Sequence, residues 1–241
     1  ITENKFGFNL NDLFEMGVRV NPKRTFLFVS KLLGKHLDVN PQVPKVAGHL
    51  LAGLIAQKQT GKDIDEIYTI VNGLKQNDYS KECLLAIEKQ LSLPKKTLII
   101  GFAETATGLG CAVASALTNA YYVQTTREEF INHRSLFDFE EEHSHATGHM
   151  CYLSDMSIIE ECEQIVLVDD EITTGKTALN LIRSINTKYP NKEYVIASLL
   201  DWRNKQHEER YLECQNEIEV TISSVALLRG EIDVLEENPI E

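Results

Sequence analysis

The chain is poor in cysteine pairs, long apolar runs and positive charge, and each absence removes a class of protein. None of its five cysteines, Cys83, Cys111, Cys151, Cys162 and Cys214, forms a CxxC pair, and their number is odd. That argues against a disulfide framework and for reduced thiols in a cytoplasm. No run approaches the roughly 18 apolar residues of a membrane span. The start, ITENKFGFNL, has neither a charged head nor an apolar signal core. Positive charge is scarce: 24 Lys and Arg face 36 Asp and Glu, a net charge of −12. A nucleic-acid surface is usually basic, so no nucleic-acid partner is expected, and an anionic ligand would need a local cradle of amides and a few cations. No internal repeat or low-complexity tract is present.

What remains is a 241-residue chain with 43% apolar residues, enough for one large α/β domain or one domain with an added lobe. Before Pro94 the pattern is helical, over Val43–Gln57, Asp63–Lys75 and Ser80–Leu91, with Ser80 as an N-cap. Pro94 closes that section. After it, short apolar runs alternate with helical ones. The runs TLIIGFA, AYYVQT, IVLVDD, YVIASLLDW and EIEVTIS read as strands. Glu104–Leu117, Gly175–Lys188 and Arg203–Glu213 read as helices. Such alternation predicts a doubly wound, mostly parallel sheet. Ligands of these sheets sit at the carboxyl ends of the strands. Ala103–Gly110, Thr125–Arg127, Asp169–Asp170 and Asp201–Arg203 all fall there. The expected division is an N-terminal hood and helical region, 1–95, and a core, 96–241, forming two parts or one compact unit.

The segment IVLVDDEITTGKTALNLI, Ile165–Ile182, places two acids beside a polar turn that opens a helix. A Walker A loop is excluded, because Asp170 occupies the place of its first glycine and would repel a triphosphate. The amides of Thr174–Thr177 can instead hold a phosphate monoester, with help from Thr hydroxyls and the helix dipole. Asp169 and Asp170 need a neutral, hydroxyl-rich group or a cation. A ribose 5-phosphate meets both demands.

VLVDDEITTGKT resembles the signature of the type I phosphoribosyltransferases. The resemblance implies their fold, an α/β core with an N-terminal hood. It also implies transfer of ribose 5-phosphate from phosphoribosyl pyrophosphate to a nitrogenous base, with Mg2+ and release of pyrophosphate. Asp169 and Asp170 would bind the ribose hydroxyls, and Thr173, Thr174, Gly175, Lys176 and Thr177 the 5-phosphate. The stretch IIGFAETATGLG resembles the family's pyrophosphate loop, with Ala103, Glu104 and Thr105 presenting amides. Thr125–Leu153, polar and aperiodic, falls where the family keeps a flexible catalytic loop, and supplies Arg127, His143 and His145 as catalytic candidates. Its HxHxxxH spacing, with His149 and Cys151, is no standard zinc pattern; a lid, a metal site and a plain surface loop all remain readings of it.

The hood candidates are Arg24, Lys31, Lys35 and His36, with Trp202 as a stacking surface for the base. TTREEF, EEEHSHATGH and RVNPKRTFLFVSKLLGKH look like the phosphoribosyltransferase-like proteins of bacterial tellurium-resistance and stress gene clusters, and the hood segment loosely resembles orotate-type enzymes. Homodimers are common in the family. Some relatives are non-enzymic regulators that bind phosphoribosyl pyrophosphate or a nucleotide, and this is the alternative function. Thr173 stands where purine-salvage members carry a general-base Asp. With Glu171 expected to face away from the site, the acceptor is expected to be anionic or already nucleophilic.

Overall fold

A computed structural model describes residues 1–18, 26–130, 135–139 and 149–232. Its seven-stranded sheet has the order β5-β6-β4-β3-β7-β8-β9. The parallel strands are β3 (Leu91–Gly101), β4 (Leu117–Thr126), β7 (Gln164–Ile172), β8 (Glu193–Asp201) and β9 (Ile222–Arg229). β5 (Phe137–Phe139) and β6 (His149–Cys151) extend one edge antiparallel. A separate hairpin, β1 (Phe14–Val18) and β2 (Phe26–Ser30), follows the short helix α1 (Leu10–Leu13) and forms the hood.

Period-2 alternation sends successive strand residues to opposite faces. On one face Ile99, Val166, Val168, Val195 and Ala197 pack with α2 (Gln42–Thr60) and α5 (Thr107–Ser115). On the other, Leu98, Ile100, Ile165, Leu167 and Ile196 pack with α7 (Lys176–Lys188) and α8 (Lys205–Glu217). Helices α3 (Ile67–Gln76) and α4 (Lys81–Glu88) join the first layer, and α6 (Ser157–Glu161) the second. The sheet is thus covered on both faces, which its near-continuous apolar strands require. The chain leaves β3 toward β4 and later leaves β7 toward β8, on the other side. The two loops diverge and open a crevice between the ends of β3 and β7. Among the described residues no helix is long and apolar enough to cross a membrane.

Three expectations are corrected. The last strand is Ile222–Arg229, not EIEVTIS. The alternation of Glu217 to Val220 imitates a strand, but α8 runs through Glu217, and Ile218 and Val220 pack against the core. Pro94 does not close the helical section; it lies inside β3, where pairing with β4 shifts register between Ser92 and Thr97, as a residue without an N–H demands. The long connection is not wholly irregular: Thr125 and Thr126 end β4, and two short stretches of its described residues form β5 and β6, with Phe137, His149 and Cys151 buried. The helical expectations agree to within a few residues, and the Ser80 hydroxyl accepts from Cys83 N at 3.5 Å.

Candidate active site

The loop after β3 turns sharply. A side chain at Gly101 would meet the Ala106 carbonyl at 2.8 Å, so the turn needs glycine there. The Ala103–Glu104 peptide is cis. Ala103 N donates to Thr125 Oγ1 at 2.8 Å, and Thr125 Oγ1 lies 3.0 Å from His149 Nδ1. The amide expected of Ala103 for pyrophosphate is therefore turned to the protein. Thr105 is fixed from the hood, since Lys35 Nζ donates to its hydroxyl at 2.6 Å. Thr125→Val should leave the Ala103 N–H without its acceptor, at a cost of about 1–2 kcal/mol. Calorimetry should show the melting temperature falling by roughly 2–8 °C.

The second loop begins inside β7. Strand geometry persists through Ile172, so Asp169 and Glu171 share one face of the strand. Gly175 takes φ +71° and opens α7. Lys176 N donates to Thr174 Oγ1 at 3.3 Å, folding the turn on itself. Thr173, Thr174, Gly175 and Thr177 line a small cavity of about 120 Å³. Asp169, Glu171, Thr177 and Phe102 belong to its wall and also to that of a larger cavity of about 460 Å³. The larger cavity reaches from Asp169, Asp170 and Glu171 past Ala103, Glu104, Thr105 and Arg127 to Leu27, Phe28, Ser30, Lys35 and His36 of the hood.

Burial pushes the Asp169 carboxyl well above the usual carboxylate range, and the charge of Asp170 pushes the same way. Burial also raises Asp170, opposed by its hydrogen bonds and by the positive charge of Lys35. Asp169 thus holds its proton more tightly than an ordinary carboxyl beside the charge of Asp170, and a ligand that brings hydroxyls or a cation to the pair favours release of that proton to solvent.

Several sequence candidates come together here and others do not. Asp169, Asp170, Arg127, Ala103, Glu104, Thr105, Lys35 and His36 line the large cavity; Thr173, Thr174, Gly175 and Thr177 line the small one. Lys31 lines neither: its Nζ donates to the Asn11 carbonyl at 2.8 Å and pairs with Glu15 at 3.1 Å. Lys176 is exposed and lines neither cavity. Trp202 is only 7% exposed and packs behind the hood, its ring 5.1 Å from that of Phe28. The hood's aromatic ring on the cavity is therefore that of Phe28, not Trp202, with Phe102 on the wall beside the acid pair. The run FLFV signalled only an apolar strand, and its alternation does not say which ring faces a ligand. Glu171 was expected to face away, yet it lines both cavities. Arg24, His143 and His145 lie outside the described residues. Cys151 is fully buried and its thiol is pushed up to about 12 by burial. Among the described residues no cluster of three His, Cys, Asp or Glu side chains is arranged to hold a metal.

Two solved structures share the fold at low identity. Adenine phosphoribosyltransferase from Trypanosoma brucei, in complex with AMP, pyrophosphate and ribose-5-phosphate, gives a TM-score of 0.53 at 10% identity over 99% of this chain and 88% of that one. The enzyme from Giardia lamblia, complexed with 9-deazaadenine, gives 0.50 at 14% identity over 92% and 97%. No curated protein sequence matches the chain. The family model described as phosphoribosyl transferase matches residues 13–231. That match runs from the hood through both loops of the crevice and on to the last strand, and the chain belongs to the phosphoribosyl transferase family.

Proposed function

We propose that the chain transfers ribose 5-phosphate from phosphoribosyl pyrophosphate to a ring nitrogen of a nucleobase-like acceptor, releasing pyrophosphate. The observation that carries this is the shared wall of the two cavities. A phosphate-sized pocket at Thr173–Thr177 opens past Asp169 into a space of about 460 Å³, room for a ribose, a pyrophosphate and a planar acceptor. The 5-phosphate accepts from the amides at the start of α7. The ribose hydroxyls donate to Asp169 and Asp170. The acceptor lies against Phe28, and Lys35 and Arg127 face the leaving pyrophosphate with the Glu104 and Thr105 amides. As the C1–oxygen bond breaks, positive charge grows on the ribose ring, and the two carboxylates stabilise it.

The donor set fits Mg2+ only with substrate present. One or two carboxylates and several substrate oxygens are what this ion takes, and Asp169 and Asp170 would be its protein side. When bound it neutralises the leaving pyrophosphate. With Glu171 on the wall, an acceptor that must lose a proton is no longer excluded. The narrower likeness of TTREEF and the hood segment supports a place in the tellurium-resistance group. That place would bring with it a cytoplasmic setting and the homodimer common in the family. Residues 1–95 and 96–241 then act as one unit, a reading supported by the hydrophobic cluster that joins Leu50 to Val166.

The test is pyrophosphate release from phosphoribosyl pyrophosphate and Mg2+ across a panel of acceptors: orotate, adenine, guanine and hypoxanthine. Acceptor-dependent release is expected. If an acceptor bearing a proton on its nucleophilic nitrogen is used, Glu171→Gln should slow it by about 10²–10⁴-fold. Binding without release in any mixture would make the chain a sensor, and release without acceptor would make it a hydrolase.

A further inference from the structure

Behind the phosphate loop lies a chain of buried polar contacts that the proposed chemistry does not use. Asp201, at the end of β8, accepts from Arg203 Nε at 2.9 Å and from Arg203 Nη2 at 2.6 Å. Both side chains are almost wholly buried, with 4% and 3% exposure for Arg203 and Asp201. Arg203 Nη2 also donates to Ser224 Oγ at 2.9 Å. The guanidinium carbon sits 4.3 Å from the centre of the Tyr211 ring on α8. Tyr211 is buried too, and its hydroxyl donates to the Gly175 carbonyl at 2.7 Å. That carbonyl also accepts from Leu179 N at 3.1 Å, the first bond of α7.

We propose that Tyr211, held by the Asp201–Arg203 pair, is a positioning residue for the 5-phosphate: it fixes the Gly175 carbonyl and so aims the Thr174–Thr177 amides into the small cavity. A buried ion pair recovers little net stability over an apolar pair of the same volume, so stability alone does not explain this one. Its geometry explains it better. The bidentate grip sets the plane of the guanidinium, the guanidinium holds the ring face, and the ring delivers one hydroxyl to one carbonyl. Burial raises the Tyr211 phenol above its ordinary value, so the hydroxyl stays a donor at any working pH. Tyr211 touches no reacting atom. Its effect passes through the loop.

This inference rests on the proposed function, and the test separates the two. Tyr211→Phe keeps the ring under Arg203 and removes only the hydroxyl. Calorimetric titration of the full chain should show ribose 5-phosphate binding about fivefold to tenfold weaker, with pyrophosphate affinity unchanged. In turnover, KM for phosphoribosyl pyrophosphate should rise by a similar factor while kcat stays within about twofold. Amide exchange at Thr174–Thr177 in the ligand-free variant should be faster. Arg203→Lys, which keeps the charge but loses the fork, should move the same readouts in the same direction. Equal loss for ribose 5-phosphate and pyrophosphate, or no loss in a folded variant, would overturn the inference. If wild type binds no ribose 5-phosphate, the proposed function fails. The exchange rates then decide this inference by themselves, and unchanged exchange overturns it.

Discussion

Gly175→Ala is expected to lower the melting temperature by roughly 4–20 °C and to abolish ribose 5-phosphate binding in whatever chain stays folded. Two costs add. Gly175 sits at φ +71°, where an L side chain costs about 1–2 kcal/mol. A Cβ there would also run into the Tyr211 hydroxyl and ring, and forced overpacking of this kind costs about 1–3 kcal/mol. A total of about 2–5 kcal/mol, at about 2–4 °C per kcal/mol for a chain of this size, gives the range stated. Gly61→Ala separates the two costs. Gly61 has φ +66° but nothing within 4 Å of its Cβ position. It should show the backbone cost alone. A Gly175→Ala loss no larger than the Gly61→Ala loss, in differential scanning calorimetry, would mean that Tyr211 does not press on the loop.

Asp169→Asn should act in opposite directions on binding and on stability. Removing the carboxylate should weaken ribose 5-phosphate by about tenfold to a hundredfold, the value of a charge-assisted hydrogen bond. The same change should stabilise the free protein near neutral pH. Burial, and then the charge of Asp170, raises the Asp169 carboxyl well above its ordinary value, so the folded chain holds the proton more tightly than the unfolded one. Such a group leaves stability intact below the unfolded pKa of about 3.9 and erodes it as pH rises toward the folded value. Asparagine does not titrate. The variant should therefore melt above wild type at pH 8, with the gap closing toward pH 4. Ligand binding to wild type should release protons, seen as a buffer-dependent heat in calorimetry. A variant that loses affinity and also melts lower at pH 8 would mean that the carboxylate is already ionised and satisfied in the free protein.

Sequence pattern carries the sheet well where the strands are long and apolar on both faces. Leu98–Ile100, Ile165–Val168 and Tyr194–Ala197 are such runs, and all fall in parallel strands. It fails where tertiary packing overrides local alternation, as at Glu217–Val220, and where strands are only three residues long, as in β5 and β6. The acid pair and the Thr–Gly loop were legible because their chemistry is local. Lys31 and Lys35, one helical turn apart in number, were indistinguishable in sequence; only the fold sends one to Asn11 and the other to Thr105. Glu171 faces the cavities because β7 continues to Ile172, two residues past the run IVLVDD, so that Glu171 shares the strand face of Asp169. The Asp201–Arg203–Tyr211 relay joins residues that meet only after α8 folds back under the loop, and no spacing announces it.

Electron density for ribose 5-phosphate in crystals of the chain is the most direct measurement. The expected result is a phosphate held by the amides and hydroxyls of Thr174–Thr177, with the ribose hydroxyls on Asp169 and Asp170 and C1 facing the larger cavity. A phosphate seated instead between Lys35 and Arg127, with the Thr–Gly loop empty and the acid pair untouched, would contradict it.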